Sequence, residues 1–162
     1  MYEPLTDYLQ PLRRLKKVGV VRGEIYDDEG NVVKMTCPYM DYCPTVKEFI
    51  KAVIFFNEDH PEFKMMNYMK TLKTRGIFWS METMKSCDVA HADSKTILSL
   101  LMGLIRGEFF STGIIGEYFC EGYIFKWLER LKQLDDKAKV RAVRAAARAN
   151  GASGSSRTSR KS

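Results

Sequence analysis

The sequence predicts a mainly α fold of the α+β kind: a compact bundle of five to six helices with one small β-hairpin near the N-terminus. Three observations predict it. Large apolar residues recur at three- and four-residue spacing through most of residues 1–134, the period of helices with one buried face. Residues 20–35 change period and carry β-branched runs on either side of Asp28-Glu29-Gly30-Asn31, the pattern of a hairpin. Residues 97–105 are almost wholly apolar, as a helix surrounded by other elements requires.

Each element has its own justification. In "PLTDYLQPLRRL", Leu5, Leu9, Leu12 and Leu15 keep a helical period that Pro11 interrupts, so one kinked or two short helices are expected. The hairpin places Val20, Val21, Ile25 and Tyr26 before its turn and Val32, Val33 and Met35 after it. A lone hairpin is marginal in water, so it must lie against the helices. "CPYMDYCP", bounded by Pro38 and Pro44, reads as a loop. Thr45 and Glu48 then have the spacing of a capping box, and Val46, Phe49, Ile50, Val53 and Phe56 or Asn57 form the inner face of an amphipathic helix. "NEDHPE" ends that helix, and Pro61 suits the first position of the next. Its inner face is Phe63, Met66, Met69 and Leu72, and Gly76 closes it. Ser80 caps one short turn. Asp93 caps the central helix over 93–107. Ser111 or Thr112 starts another helix with Ile114, Ile115, Tyr118 and Phe119 inside, ended by Gly122. "YIFKWLERLKQL" aligns Ile124, Trp127, Leu128 and Leu131 on one stripe.

The net charge of +6 is not spread over the chain. Residues 1–134 carry 18 Lys and Arg against 18 Asp and Glu, so the whole excess lies in residues 135–162. Three parts follow: a balanced helical domain over 1–134, a basic helical extension over 135–149, and a disordered Gly/Ser/Arg tail over 150–162. "MYEPLTDYLQPLRRLKKVGV" has neither the apolar region nor the small-residue cleavage site of a leader. The apolar runs fall short of the ~20 residues that a membrane span needs. A cytoplasmic protein without a membrane partner is expected.

The pieces "PYMDY", "FNEDHPEF", "MKTLKTRGIFW", "SMETMKSCDVAHADSKTILSLLMGLIRGEFFSTG" and "GYIFKWLERLK" occur in that order. Together they resemble a family of small bacterial proteins, frequent in Firmicutes, known only as a domain of unknown function. The resemblance covers roughly residues 2–134. Its most specific part is Arg106, Glu108, Phe110 and Gly113, followed by Gly122 and "WLERLK". The family pattern usually places a basic residue between that Glu and that Phe, where this chain has Phe109. The resemblance implies a shared fold and no particular reaction.

Candidate sites are few. Cys37, Cys43, Cys87, Cys120, His60 and His91 have no standard zinc spacing and read as reduced thiols and ordinary imidazoles, so no metal or cofactor is expected. No G-x-S-x-G, H-E-x-x-H, Walker A or G-x-G-x-x-G motif is present. Cys43 with His60 or His91 as base matches no known nucleophile signature, and Glu58, Asp59 and His60 read as capping residues beside Pro61. On the central helix, Lys95, Ser99, Met102 or Gly103 and Arg106 share one strip, which puts Lys95 and Arg106 on the solvated face. Arg106 and Glu108 read as a helix end at the rim of the core, the alternative being an anion site in a cleft. Gly103 and Gly107 suggest close approach of a neighbouring helix.

The extension is the most informative stretch. Lys137, Arg141, Arg144 and Arg148 lie within about 60° of arc on a helix, with alanines filling the rest of "KAKVRAVRAAARAN". A basic stripe of this kind suits nucleic acid or an acidic protein partner, and it lacks the opposing large apolar residues of a membrane helix. The reading is a non-enzymatic interaction module. The alternatives are a small enzyme with a site near the Cys37–Cys43 loop and Arg106–Glu108, or a regulatory subunit that binds another protein.

Overall fold

The computed structural model describes residues 1–152. Of the tail expected over 150–162, residues 150–152 close the last helix, and the remainder lies outside the described residues. Two short helices, α1 (Glu3–Thr6) and α2 (Leu9–Arg13), lead into an antiparallel hairpin of β1 (Gly19–Tyr26) and β2 (Val32–Tyr42). Then come α3 (Pro44–Asp59), α4 (Tyr68–Thr74), α5 (Met81–Lys85), α6 (Ser94–Gly107), α7 (Ile114–Cys120) and α8 (Tyr123–Ala152).

The core is built around α6. Every residue from Thr96 to Leu104 is buried, and α3, α4, α5, α7 and α8 all contact this helix. The stripes expected on the flanking helices point at it: Val46, Phe49, Val53 and Phe56 from α3, and Ile124, Trp127, Leu128 and Leu131 from α8. Asp93 caps α6 as its position predicts, accepting the Thr96 N–H at 2.8 Å. Ser80 likewise caps α5, accepting from the Thr83 N–H. Gly76 adopts φ +74° and ends α4, where the Ile77 N–H reaches back to the Leu72 carbonyl.

Five details differ from the sequence reading. The segment "CPYMDYCP" is not a loop, because β2 continues through Pro38 to Tyr42. The ladder shifts register between Arg22 and Glu24, pairing Arg22 with Tyr39 and Glu24 with Met35. Pro38 therefore falls in an irregularity where the ladder asks no N–H of it. Second, α3 begins at Pro44 with Cys43 as N-cap, so Thr45 caps nothing and Glu48 pairs with Lys51 instead.

Third, the Pro61 segment forms two 3-10 turns, Pro61–Phe63 and Met65–Asn67, joined by Lys64 in the left-handed region at φ 51°. That break shifts the phase. Met65, Tyr68 and Leu72 are buried, while Met66 and Met69 are exposed. Fourth, the strip Ser99–Met102–Gly103 on α6 is buried, not solvated, with Lys95 half-buried and only Arg106 exposed. Trp79 covers the strip and donates its indole N–H to the Gly103 carbonyl at 3.0 Å. Fifth, neither Ser111 nor Thr112 caps α7, whose N-cap is Gly113.

The paired glycines of α6 do mark a close approach. A Cβ on Gly103 would sit 3.2 Å from the Trp79 ring, and one on Gly107 would sit 2.8 Å from the Met81 methyl. Gly19 is tighter in kind, because its Cβ would meet the Asp41 backbone oxygen at 2.6 Å. Backbone cannot swing aside as a methionine terminus can. Gly19→Ala is therefore expected to cost roughly 2 kcal/mol, as overpacking does, and Gly107→Ala clearly less. Urea unfolding of the two variants checks the order, and equal midpoints would contradict it.

Candidate functional site

The basic stripe stands on α8, whose 30 residues span about 45 Å. Its first half is core. Its last buried residue among those described is Asp135. There the chain start clasps the helix: the Met1 ammonium donates to the Asp135 carboxylate at 3.0 and 3.1 Å. Lys139 bridges from Asp135 at 3.4 Å to Glu3 at 2.7 Å. Lys139 and the Met1 ammonium hold the Glu3 carboxyl well below the ordinary carboxylate range, and Glu3 in turn raises Lys139.

Beyond that clasp the helix has no buried residue among those described. Lys137, Arg141, Arg144 and Arg148 are all exposed, and no ion pair among the described residues involves them. An isolated helix of this length would be marginal in water, since nucleation is the costly step. Here the buried half of α8 supplies the nucleus, and the alanines propagate it. The structure thus brings the four predicted cations together on one face of a projecting arm.

It separates the other predicted pair. Arg106 is exposed on the last turn of α6 and joins no described ion pair. Glu108 turns the other way and serves as a hub. Its Oε1 accepts the Gly113 N–H at 2.6 Å, and its Oε2 accepts the Ile115 N–H at 3.0 Å and the Tyr42 hydroxyl at 2.8 Å. The Tyr42 oxygen accepts the Gly116 N–H at 3.2 Å. One carboxylate therefore satisfies the orphan donors at the start of α7 and pins the base of β2 to the turn. With three donors on it, Glu108 is engaged as a structural acceptor, apart from Arg106. Sequence reasoning named Glu108 but missed Tyr42, which no local spacing connects to it.

Burial first, and then the hydrogen bond to Glu108, push the Tyr42 phenol above its ordinary value. Burial likewise raises Tyr118. A raised folded-state value means that this stabilisation is complete below the unfolded phenol value of about 10 and is lost as pH climbs through the folded one. A tyrosinate absorbance titration is expected to leave Tyr42 and Tyr118 un-ionised until the fold opens, and Tyr42→Phe should remove one late-titrating phenol. Ionisation of every tyrosine in the native state would contradict this.

The thiols and imidazoles meet at one place only among the described residues. Cys43 is half-buried at the start of α3, Cys120 is exposed, and the Cys37 side chain lies outside the described residues. His60 stacks on Phe56 with centroids 4.3 Å apart and pairs with Glu62. Cys87 and His91 do share a cavity of about 340 Å³, with Asp88 and Arg75. Burial pushes the Cys87 thiol up, however, which is opposite to the need of a nucleophile; His91 pairs with Asp88 at 2.7 Å, and no hydrogen bond among the described residues joins it to Cys87. Among the described residues, no three or more His, Cys, Asp or Glu side chains are grouped so as to hold a metal ion. No described helix is long and apolar enough to cross a membrane.

A family described as one of unknown function, DUF6508, matches residues 2–137. No curated protein and no solved structure matches the chain. The stripe residues from Arg141 onward thus lie beyond the part that the family defines.

Proposed function

The chain belongs to the DUF6508 family, and we propose that it is a non-enzymatic binding protein whose C-terminal helical arm contacts the phosphate backbone of nucleic acid. One observation carries this reading: Lys137, Arg141, Arg144 and Arg148 form an exposed row, joined by no ion pair among the described residues, on a helix that leaves an electrically balanced body. From the first to the last, the row rises about 16 Å along the axis. Among the described residues, no ion pair has to break before an anion binds.

The contact expected of this row is to phosphate. Apart from Lys139 in the clasp, alanines and the exposed Val140 and Val143 fill the remainder of the arm over 137–149, so no Asn, Gln, Asp or Glu stands beside the cations to add base readout. Arm and body are fixed to one another through the clasp of Met1, Glu3, Asp135 and Lys139, so the arm presents the folded domain to whatever it binds.

Fluorescence anisotropy of labelled duplexes and single strands, titrated with the full chain over a salt series, tests the reading. Four phosphate contacts predict a slope of log K against log salt of about −3 to −4, with little dependence on base sequence. No binding at low salt would overturn it. Such a result, with salt-sensitive capture of an acidic protein, would transfer the arm to a protein partner.

A further inference from the structure

Lys64, Lys70 and Arg75 come from one stretch around α4 and Lys95 from the first turn of α6, and together with Thr71 and Thr74 they line one cavity of about 270 Å³. No acidic side chain lines it. We propose that this cavity is a binding site for a small phosphorylated anion of the size of an inorganic di- or triphosphate.

Three observations converge on it. Lys64, Lys70 and Lys95 belong to no ion pair among the described residues, so the cavity gathers three such cations beside Arg75, with Asp93 at its rim as the one carboxylate that acts on Lys95 and Arg75. Arg75 is the exception, and its partner orients it. Asp93 pairs with Arg75 while its other oxygen caps α6 through the Thr96 N–H, so the guanidinium is held at the rim by a fixed helix end. The fork of a guanidinium keeps further donors for a second oxyanion.

Lys64 supplies the third observation. It is the one non-glycine residue with positive φ among those described, at φ 51° and ψ 45°. Bulky side chains rarely adopt that region, and residues held there cluster where a ligand is bound. Here the two 3-10 turns set Lys64 at the cavity edge. A glycine or asparagine would relieve the backbone at that position but would remove the cation.

Size decides the ligand class. A cavity of about 270 Å³ lies just under the range of roughly 300–1,000 Å³ that holds whole small-molecule ligands. It suits a phosphate chain more than a complete nucleotide. The surround is polar: Thr71 and Thr74 both line it, and the Thr74 hydroxyl donates to the Thr71 carbonyl.

Calorimetric titration of the full chain with inorganic tripolyphosphate, against sulfate at matched ionic strength, tests this. The expected result is one site that prefers tripolyphosphate, weakened at least about tenfold in Lys70→Gln/Lys95→Gln as two charge-assisted contacts are lost. Lys64→Gly should weaken binding while leaving the thermal midpoint equal or higher, so a fall in binding cannot be blamed on unfolding. Neutralising Lys137, Arg141, Arg144 and Arg148 should leave it unchanged. Tripolyphosphate bound no better than sulfate, cavity variants without effect, or a loss that follows the arm variant would each overturn the proposal.

Discussion

Glu108→Ala is expected to destabilise the domain by about 3 kcal/mol, more than any single surface substitution on the helices. The reason lies in what the change leaves behind. The Gly113 and Ile115 amides and the Tyr42 hydroxyl all donate to this carboxylate, and Tyr42 is buried at 6% exposure. Removing the acceptor strands three donors where water has limited access, and each stranded donor costs of order 1–3 kcal/mol before relaxation. Glu108→Gln keeps an acceptor oxygen but loses the charge, and should recover part of the loss. Tyr42→Phe removes one donor and also leaves the Gly116 N–H unanswered, for about 1 kcal/mol. Urea denaturation of the three variants gives the order directly. If Glu108→Ala matched wild type, the hub would have no energetic role, and its charge would need another explanation.

This hub shows where sequence reading stops. Tyr42 and Glu108 stand 66 residues apart and carry no shared spacing. Their meeting depends on β2 running past Pro38, and that run depends on a register shift that nothing near Pro38 announces. The phase slip at Lys64 was hidden for a similar reason. Lysine is a poor marker for a left-handed residue, so Phe63, Met66 and Met69 read as one face of an unbroken helix. The strip under Trp79 was lost because Ser99 and Gly103 share a helical strip with Lys95 and Arg106, whose charges drew it to the solvated face, and only tertiary packing buries it. What is periodic over several turns was legible: α3 and α8 with their buried stripes, the all-round apolar α6, and the caps at Ser80 and Asp93. The candidate arm was legible because a helical stripe is a local pattern. The cavity cations were not, since α4 and α6 bring them together from separate stretches.

The second large effect concerns the arm. Replacing Lys137, Arg141, Arg144 and Arg148 together by Gln is expected to weaken nucleic-acid binding by about 10²-fold at low salt, the share that four phosphate contacts supply. Gln keeps nearly the same helix propensity as Lys and Arg, so α8 should persist and circular dichroism should not change. The clasp residues Asp135 and Lys139 are untouched, so the arm also keeps its attachment to the body. Truncation after Leu134 would be a poorer test, because it removes the partners of Met1 and Glu3 along with the charges.

The salt dependence of that quadruple variant, measured beside the wild type on one labelled duplex, tests the central claim most directly. Each phosphate contact removed should flatten the slope of log K against log salt by about 1, so the variant should lie some 3 to 4 units shallower than the wild type. Equal slopes would mean that these four side chains touch no phosphate, and the arm would not be a nucleic-acid contact.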